Sequence, residues 1–102
     1  MALRMTSTTR AVLQVLQAAA SRGESTYGLE ICRETQLGSG TVYPILTKFE
    51  RLGLVRTYWE DDSTEARGPR RRMYELTAEG AKEAERAAQR AAPVTHRLGW
   101  VR

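Results

Sequence analysis

One cysteine, one histidine, one phenylalanine and three prolines in 102 residues leave little room for several kinds of chemistry. Cys32 by itself cannot close an internal disulfide, and its reduced state fits a reducing compartment. It reads as a small buried hydrophobe rather than a redox sensor. His96 by itself falls short of the three or four ligands of a metal site, so neither a metal nor another cofactor is expected. The sequence has no glycine-rich phosphate loop, and Glu60, Asp61 and Asp62 are acidic neighbours on a loop with no sign of a pocket, so an enzyme is not expected. No run approaches the ~20 apolar residues of a membrane span, and the start MALRMTSTTR lacks the apolar core and cleavage site of a secretion signal. The expectation is a soluble, cytoplasmic protein with no membrane partner.

Apolar residues at 41% and charged residues at 27% are ordinary values for a folded domain. A chain of this length makes one domain that buries roughly two-thirds of its unfolded surface. The net charge of +4 favours a polyanionic partner, although the excess is modest.

Periodicity divides the chain. Thr8 or Thr9 can cap a first helix that runs to about Ser21 with Ala11, Val12, Val15, Leu16 and Ala19 on one face, and Gly23 ends it. Glu24 to Thr26 is a short link, and Ser25 or Thr26 can cap a second helix from Tyr27 to about Gln36. Leu37-Gly38 turns the chain into a third helix capped by Ser39, whose stripe is Val42, Ile45, Leu46, Phe49 and Leu52. Pro44 is awkward in that helix because it removes a hydrogen bond and crowds the preceding turn. Leu54 to Glu60 and Arg71 to Leu76 read as strands, with Tyr74 and Leu76 on the core face and Trp59 expected to pack. The polar stretch EDDSTEARGPR between them reads as a hairpin loop. Thr77 can cap a last helix, Ala78 to Ala92, with a seam of Ala81, Ala84, Ala88 and Ala91.

That order is mainly α with a small β-hairpin wing: a winged helix-turn-helix over residues 8–76, and a C-terminal dimerisation helix and tail over 77–102. The third helix offers Ser39, Gly40, Thr41, Tyr43, Pro44, Thr47 and Lys48 off its buried stripe, where short polar groups and backbone amides suit a DNA major groove. Arg67 and Arg70 flank the turn of the hairpin, where a wing touches the DNA backbone. Arg71 and Arg72 point to opposite faces of their strand, so one of them at most joins that pair; Arg71 is counted with the candidate contacts.

The segments YGLEI (27–31), GSGTVYPILTKFERLGLV (38–55) and RGPRRRMYELTAEG (67–80) resemble the PadR family of bacterial winged-helix transcriptional regulators. The likeness runs over about residues 10 to 90, and Tyr43-Pro44 followed by Leu46 is its sharpest piece. Gly68-Pro69 splits the family's usual Arg-Pro pair, and Phe49 replaces a more common leucine. The resemblance implies a DNA-binding regulator, a repressor in the first instance, resembling the family's short members, whose last helix builds a homodimer. It also makes a small aromatic or lipophilic effector an expected partner besides double-stranded DNA.

Two copies of the third helix about one turn of DNA apart, near 34 Å, would read a palindromic operator. Alanine buries little surface, so Leu98 and Trp100 of the tail are expected to join the alanine seam in the dimer contact. The rival readings are a winged helix that serves as a protein–protein interaction module, and a ligand-binding module without DNA affinity.

Overall fold

Phe49, Leu13, Leu16, Ile31, Leu46, Val12 and Val42 are the largest side chains fully shielded from solvent, and three helices supply all of them. The structure is a computed structural model that describes residues 4–60 and 70–91. In chain order its elements are α1 (Ser7–Ser21), β1 (Thr26–Tyr27), α2 (Gly28–Thr35), α3 (Ser39–Arg51), β2 (Val55–Trp59), β3 (Arg72–Leu76) and α4 (Ala78–Ala91).

The first three helices start a little away from where the sequence places their caps, while α4 begins directly after Thr77, whose hydroxyl accepts the Gly80 N–H at 3.1 Å as expected. Thr6, rather than Thr8 or Thr9, caps α1 by accepting the Thr9 N–H on its hydroxyl at 3.2 Å. The α2 cap position is Tyr27 and the α3 cap position is Gly38, and neither end has a side-chain cap in place of the expected Ser25, Thr26 or Ser39. The α1 end follows expectation, and α3 ends in the same way. Gly23 (φ 71°) and Gly53 (φ 76°) take the left-handed conformation. In the second case the Leu54 N–H reaches the Phe49 carbonyl at 2.8 Å and the Gly53 N–H reaches that of Glu50 at 3.1 Å, a Schellman closure. Between α2 and α3 the left-handed residue is Gln36 (φ 63°), upstream of the expected Leu37-Gly38 turn.

The buried face of α1 is Thr9, Val12, Leu13, Leu16 and Ala19. Leu13 stands at its centre and was missing from the expected seam, while Ala11 and Val15 sit at its edge. On α2, Ile31 is buried but Leu29 is 62% exposed. The α3 stripe is as expected, with Val42, Leu46 and Phe49 buried and Ile45 and Leu52 packed at the margin.

The hairpin pairs Val55 with Leu76 through Trp59 with Arg72, and the Glu60 N–H extends the ladder to the Arg71 carbonyl at 2.8 Å. A third strand joins it. β1 pairs antiparallel with β3, Thr26 opposite Tyr74 and Tyr27 opposite Met73, so β3 is central among the described strands. Tyr74 is buried and Leu76 packs beside it, as expected. Trp59 is instead 55% exposed, with the Arg72 guanidinium 5.4 Å from its ring centroid.

On the outer face of the sheet Glu75 accepts from Arg56 Nη2 (2.6 Å) and Nε (2.9 Å) and from Ser25 Oγ (3.1 Å). These bonds, Arg56 first, hold its carboxyl below the ordinary carboxylate range. A lowered pKa in the folded state stabilises the fold above the ordinary carboxylate value, and the contribution disappears as pH falls through the lowered one. Glu75→Gln is therefore expected to cost about 0.5 kcal/mol at neutral pH, a figure in the range of exposed ion pairs. Urea titrations should find wild type and variant furthest apart above the ordinary carboxylate pKa of ~4.3 and converging as the pH falls below it.

α4 closes the core with Ala84 and Ala87, which pack in the same cluster as the α1 leucines. This corrects the alanine seam. Ala84 faces the core of its own chain, whereas Ala81 and Ala88 are exposed. Ala91 ends the helix, and Leu98 and Trp100 lie outside the described residues.

Candidate nucleic-acid interface

Burying Val42, Leu46 and Phe49 turns the opposite side of α3 to solvent. Ser39, Gly40, Thr41, Tyr43, Pro44, Thr47 and Lys48 are all exposed, so the structure brings these candidate contacts of the third helix onto one accessible surface. No side chain caps the leading end, which leaves first-turn amides and the positive pole of the helix toward solvent. Pro44, within the helix, has no N–H to return to the Gly40 carbonyl, so an acceptor is left on the same face.

Tyr43 ties this face to α2. Its ring lies against Gly28 so closely that a β-carbon built there would sit 2.5 Å from Tyr43 Cε1 and nearer still to the hydroxyl. The missing side chain of Gly28 is the space the tyrosine ring occupies. Gly28 of α2 and Tyr43 of α3 thus form one contact between the two helices.

The arginines separate by what holds them. Arg71 Nη1 donates to Glu60 Oε2 at 3.0 Å, its N–H reaches Glu60 Oε1 at 3.3 Å, and its guanidinium lies 4.5 Å from the Tyr27 ring centroid. Arg72 turns to the other face of the strand. Its Nη2 reaches Thr57 Oγ1 at 3.1 Å and Glu50 Oε2 of α3 at 3.4 Å. Arg70 is exposed, and Arg67 lies outside the described residues. Tyr27, Leu29 and Tyr43 on one side and Arg70 to Arg72 on the other line an open cleft of about 360 Å³.

Beneath it Tyr74 is buried, which raises its hydroxyl pKa despite the nearby Arg72, so the hydroxyl stays protonated at neutral pH. At the far side of α3, Lys48 and Arg4 border a smaller hollow of about 110 Å³ with Thr6 and Thr9. Arg4 and Arg72 therefore join the candidate surface without having been singled out as contacts in the sequence. A basic residue before the first helix carries no periodic signal. Arg72 was passed over for Arg71 because strand alternation separates the two faces without saying which one meets α3.

A polar, uncapped helix face thus lies beside a basic cleft on the hairpin. The model of the transcriptional regulator PadR-like family matches residues 12–86. The chain belongs to the PadR-like family of transcriptional regulators. A PadR family transcription regulator from hypervirulent Clostridium difficile superposes with a TM-score of 0.73 at 23% identity, over 92% of this chain and 96% of that one. A PadR-like transcription factor from Bacteroides fragilis gives 0.66 at 21% identity, over 92% and 88%. MepR, a transcription regulator of the Staphylococcus aureus multidrug efflux pump MepA, gives 0.73 at 23% identity, over 92% of this chain and 63% of that one. Among curated proteins none matches the sequence. The fold is thus the winged helix expected from the sequence, and the PadR-like chain is a regulator, not an enzyme. No described helix is long and apolar enough to cross a membrane.

Proposed function

We propose that this PadR-like regulator is a homodimeric, sequence-specific DNA-binding repressor acting on a palindromic operator. The observation that carries the reading is the α3 face: seven neighbouring candidate contacts, all exposed, with the cation Lys48 among them and no acidic residue in the first turn. A major groove admits such a helix, whose short side chains and amides reach base edges and phosphates. Arg70 and Arg72 supply flanking phosphate contacts from the hairpin, and Arg67 is expected to add another. The winged-helix unit over 8–76 reads DNA, and the 77–102 arm joins two chains through the exposed Ala81 and Ala88 with Leu98 and Trp100. Ala84, committed to its own core, is not part of that arm's contact. Repression follows from occupying a promoter in the cytoplasm, and a small aromatic or lipophilic effector would act by favouring a dimer arrangement unable to span both half-sites.

The test is selection of bound duplexes from a random library with the full chain, followed by sedimentation of the complex. The selected sequence should be a palindrome with half-sites about 10 base pairs apart, bound by two chains. Affinity should fall with salt with a log–log slope of roughly −0.9 per phosphate neutralised. Recovery of no duplex at low salt, or a single chain on an asymmetric site, overturns the reading.

A further inference from the structure

Glu50 is out of place on a surface that meets a polyanion. It follows Tyr43 and Thr47 along the exposed side of α3, at steps of four and three residues, and its side chain is 45% exposed. It faces Arg72, itself 42% exposed, across the gap between α3 and the hairpin. The two meet through Arg72 Nη2 at 3.4 Å, a longer approach than the 2.7–2.9 Å of a strong charge-assisted bond. Thr57 shares that nitrogen at 3.1 Å, and the Trp59 ring lies beneath the guanidinium at 5.4 Å. Arg72 is thus oriented by strand residues and only loosely held by the carboxylate. Arg71 is the contrast, since its partner Glu60 is 17% exposed and bonds both its side chain and its backbone N–H.

We infer that Glu50 competes with DNA at Arg72: its carboxylate occupies the place of a DNA phosphate there until a correctly seated duplex delivers one. The inference rests on the DNA-binding reading of the α3 face. When α3 enters its own site, a backbone phosphate is carried along the Tyr43–Thr47–Glu50 side and displaces the carboxylate from Arg72. A duplex that only brushes the surface meets Arg72 already satisfied and Glu50 repelling its phosphates. Only the seated complex breaks the Glu50–Arg72 contact, so the carboxylate holds down operator affinity at least as much as non-specific association. Glu50 acts through Arg72, as a positioning group for that side chain.

Glu50→Gln keeps the shape and removes the charge. Fluorescence anisotropy would compare the duplex selected by the protein with a scrambled duplex of equal length, across a salt series. Glu79→Gln, an exposed position on α4, is the control for loss of one negative charge. Relative to that control, Glu50→Gln should bind the selected duplex roughly five-fold more tightly, the scale of an exposed charge contact. Its gain on the scrambled duplex should be no larger, and the salt slope on scrambled DNA should steepen by about 0.9 as one more phosphate is engaged. In an Arg72→Gln background the Glu50→Gln gain should vanish. Equal behaviour of the Glu50 and Glu79 variants, or the same gain with Arg72 absent, overturns the inference while leaving operator binding intact. A wild-type chain that holds neither duplex overturns the DNA-binding reading and this inference together.

Discussion

Gly80→Ala is expected to lower stability by roughly 3 kcal/mol, at the upper end of what overpacking costs, and so to drop the melting temperature by about 12–24 °C. Gly80 lies in the first turn of α4, where the chain returns to the start of β2. A β-carbon there would lie 2.9 Å from both the Leu54 carbonyl carbon and Leu76 Cδ2, and would overlap the Leu54 carbonyl oxygen. That carbonyl has no freedom to retreat, because it accepts the Thr77 N–H at 3.0 Å. The Thr77 hydroxyl locks the same joint from the other side, donating to the Gly53 carbonyl at 2.6 Å and accepting the Gly80 N–H at 3.1 Å. Backbone therefore meets backbone, and a single methyl must push α4 away from β2. Gly40→Ala makes the control, since a β-carbon there meets nothing within 4 Å. In that helix the same change should be neutral or stabilising by up to ~1 kcal/mol. Calorimetry of the two variants decides the matter. A Gly80→Ala midpoint near that of wild type would mean α4 stands further from β2 than this structure places it.

The same joint explains why α4 was the least legible element. Alanines at 81, 84, 88 and 91 and alanines at 84 and 87 both have helical spacing, and side chains this small give hydrophobicity no power to choose between adjacent faces. The choice is made by Gly80, whose missing side chain permits close approach to β2, and this turns Ala84 and Ala87 inward. α3 was legible for the opposite reason. Val42, Leu46 and Phe49 are large, regularly spaced and flanked by polar residues, so burial of one face fixed exposure of the other. β1 was invisible because two residues carry no period, and their pairing with Tyr74 and Met73 spans more than forty positions of sequence. Trp59 misled through its size: the sequence offers no reason for a tryptophan to remain half outside. In the fold its ring serves as a floor for Arg72. The arginine run was legible as charge and not as geometry, since the partners that sort Arg71 from Arg72 come from β1, α3 and the opposite hairpin arm.

Thr47→Glu is expected to reduce affinity for the selected duplex by at least ~100-fold, because like charges brought together in an interface cost several kcal/mol. Thr47 is exposed on α3, between Tyr43 and Glu50 along the helix and clear of Val42, Leu46 and Phe49, so the new side chain displaces nothing from the core. Glutamate also has a better helix propensity than β-branched threonine, and the melting temperature should stay within a few degrees of wild type. The two readouts together separate a contact surface from a structural one. Lost affinity with an intact fold places position 47 against the DNA, whereas lost affinity with lost stability would trace the effect to unfolding. The loss should be greater on the selected duplex than on a scrambled one, because only the seated helix brings residue 47 into the groove. Thr47→Lys, the opposite charge at the same atom positions, should tighten scrambled-duplex binding and steepen its salt slope by about 0.9. Should Thr47→Glu bind the selected duplex as wild type does, α3 does not enter the groove by this face, and the hairpin arginines would have to carry DNA binding without it.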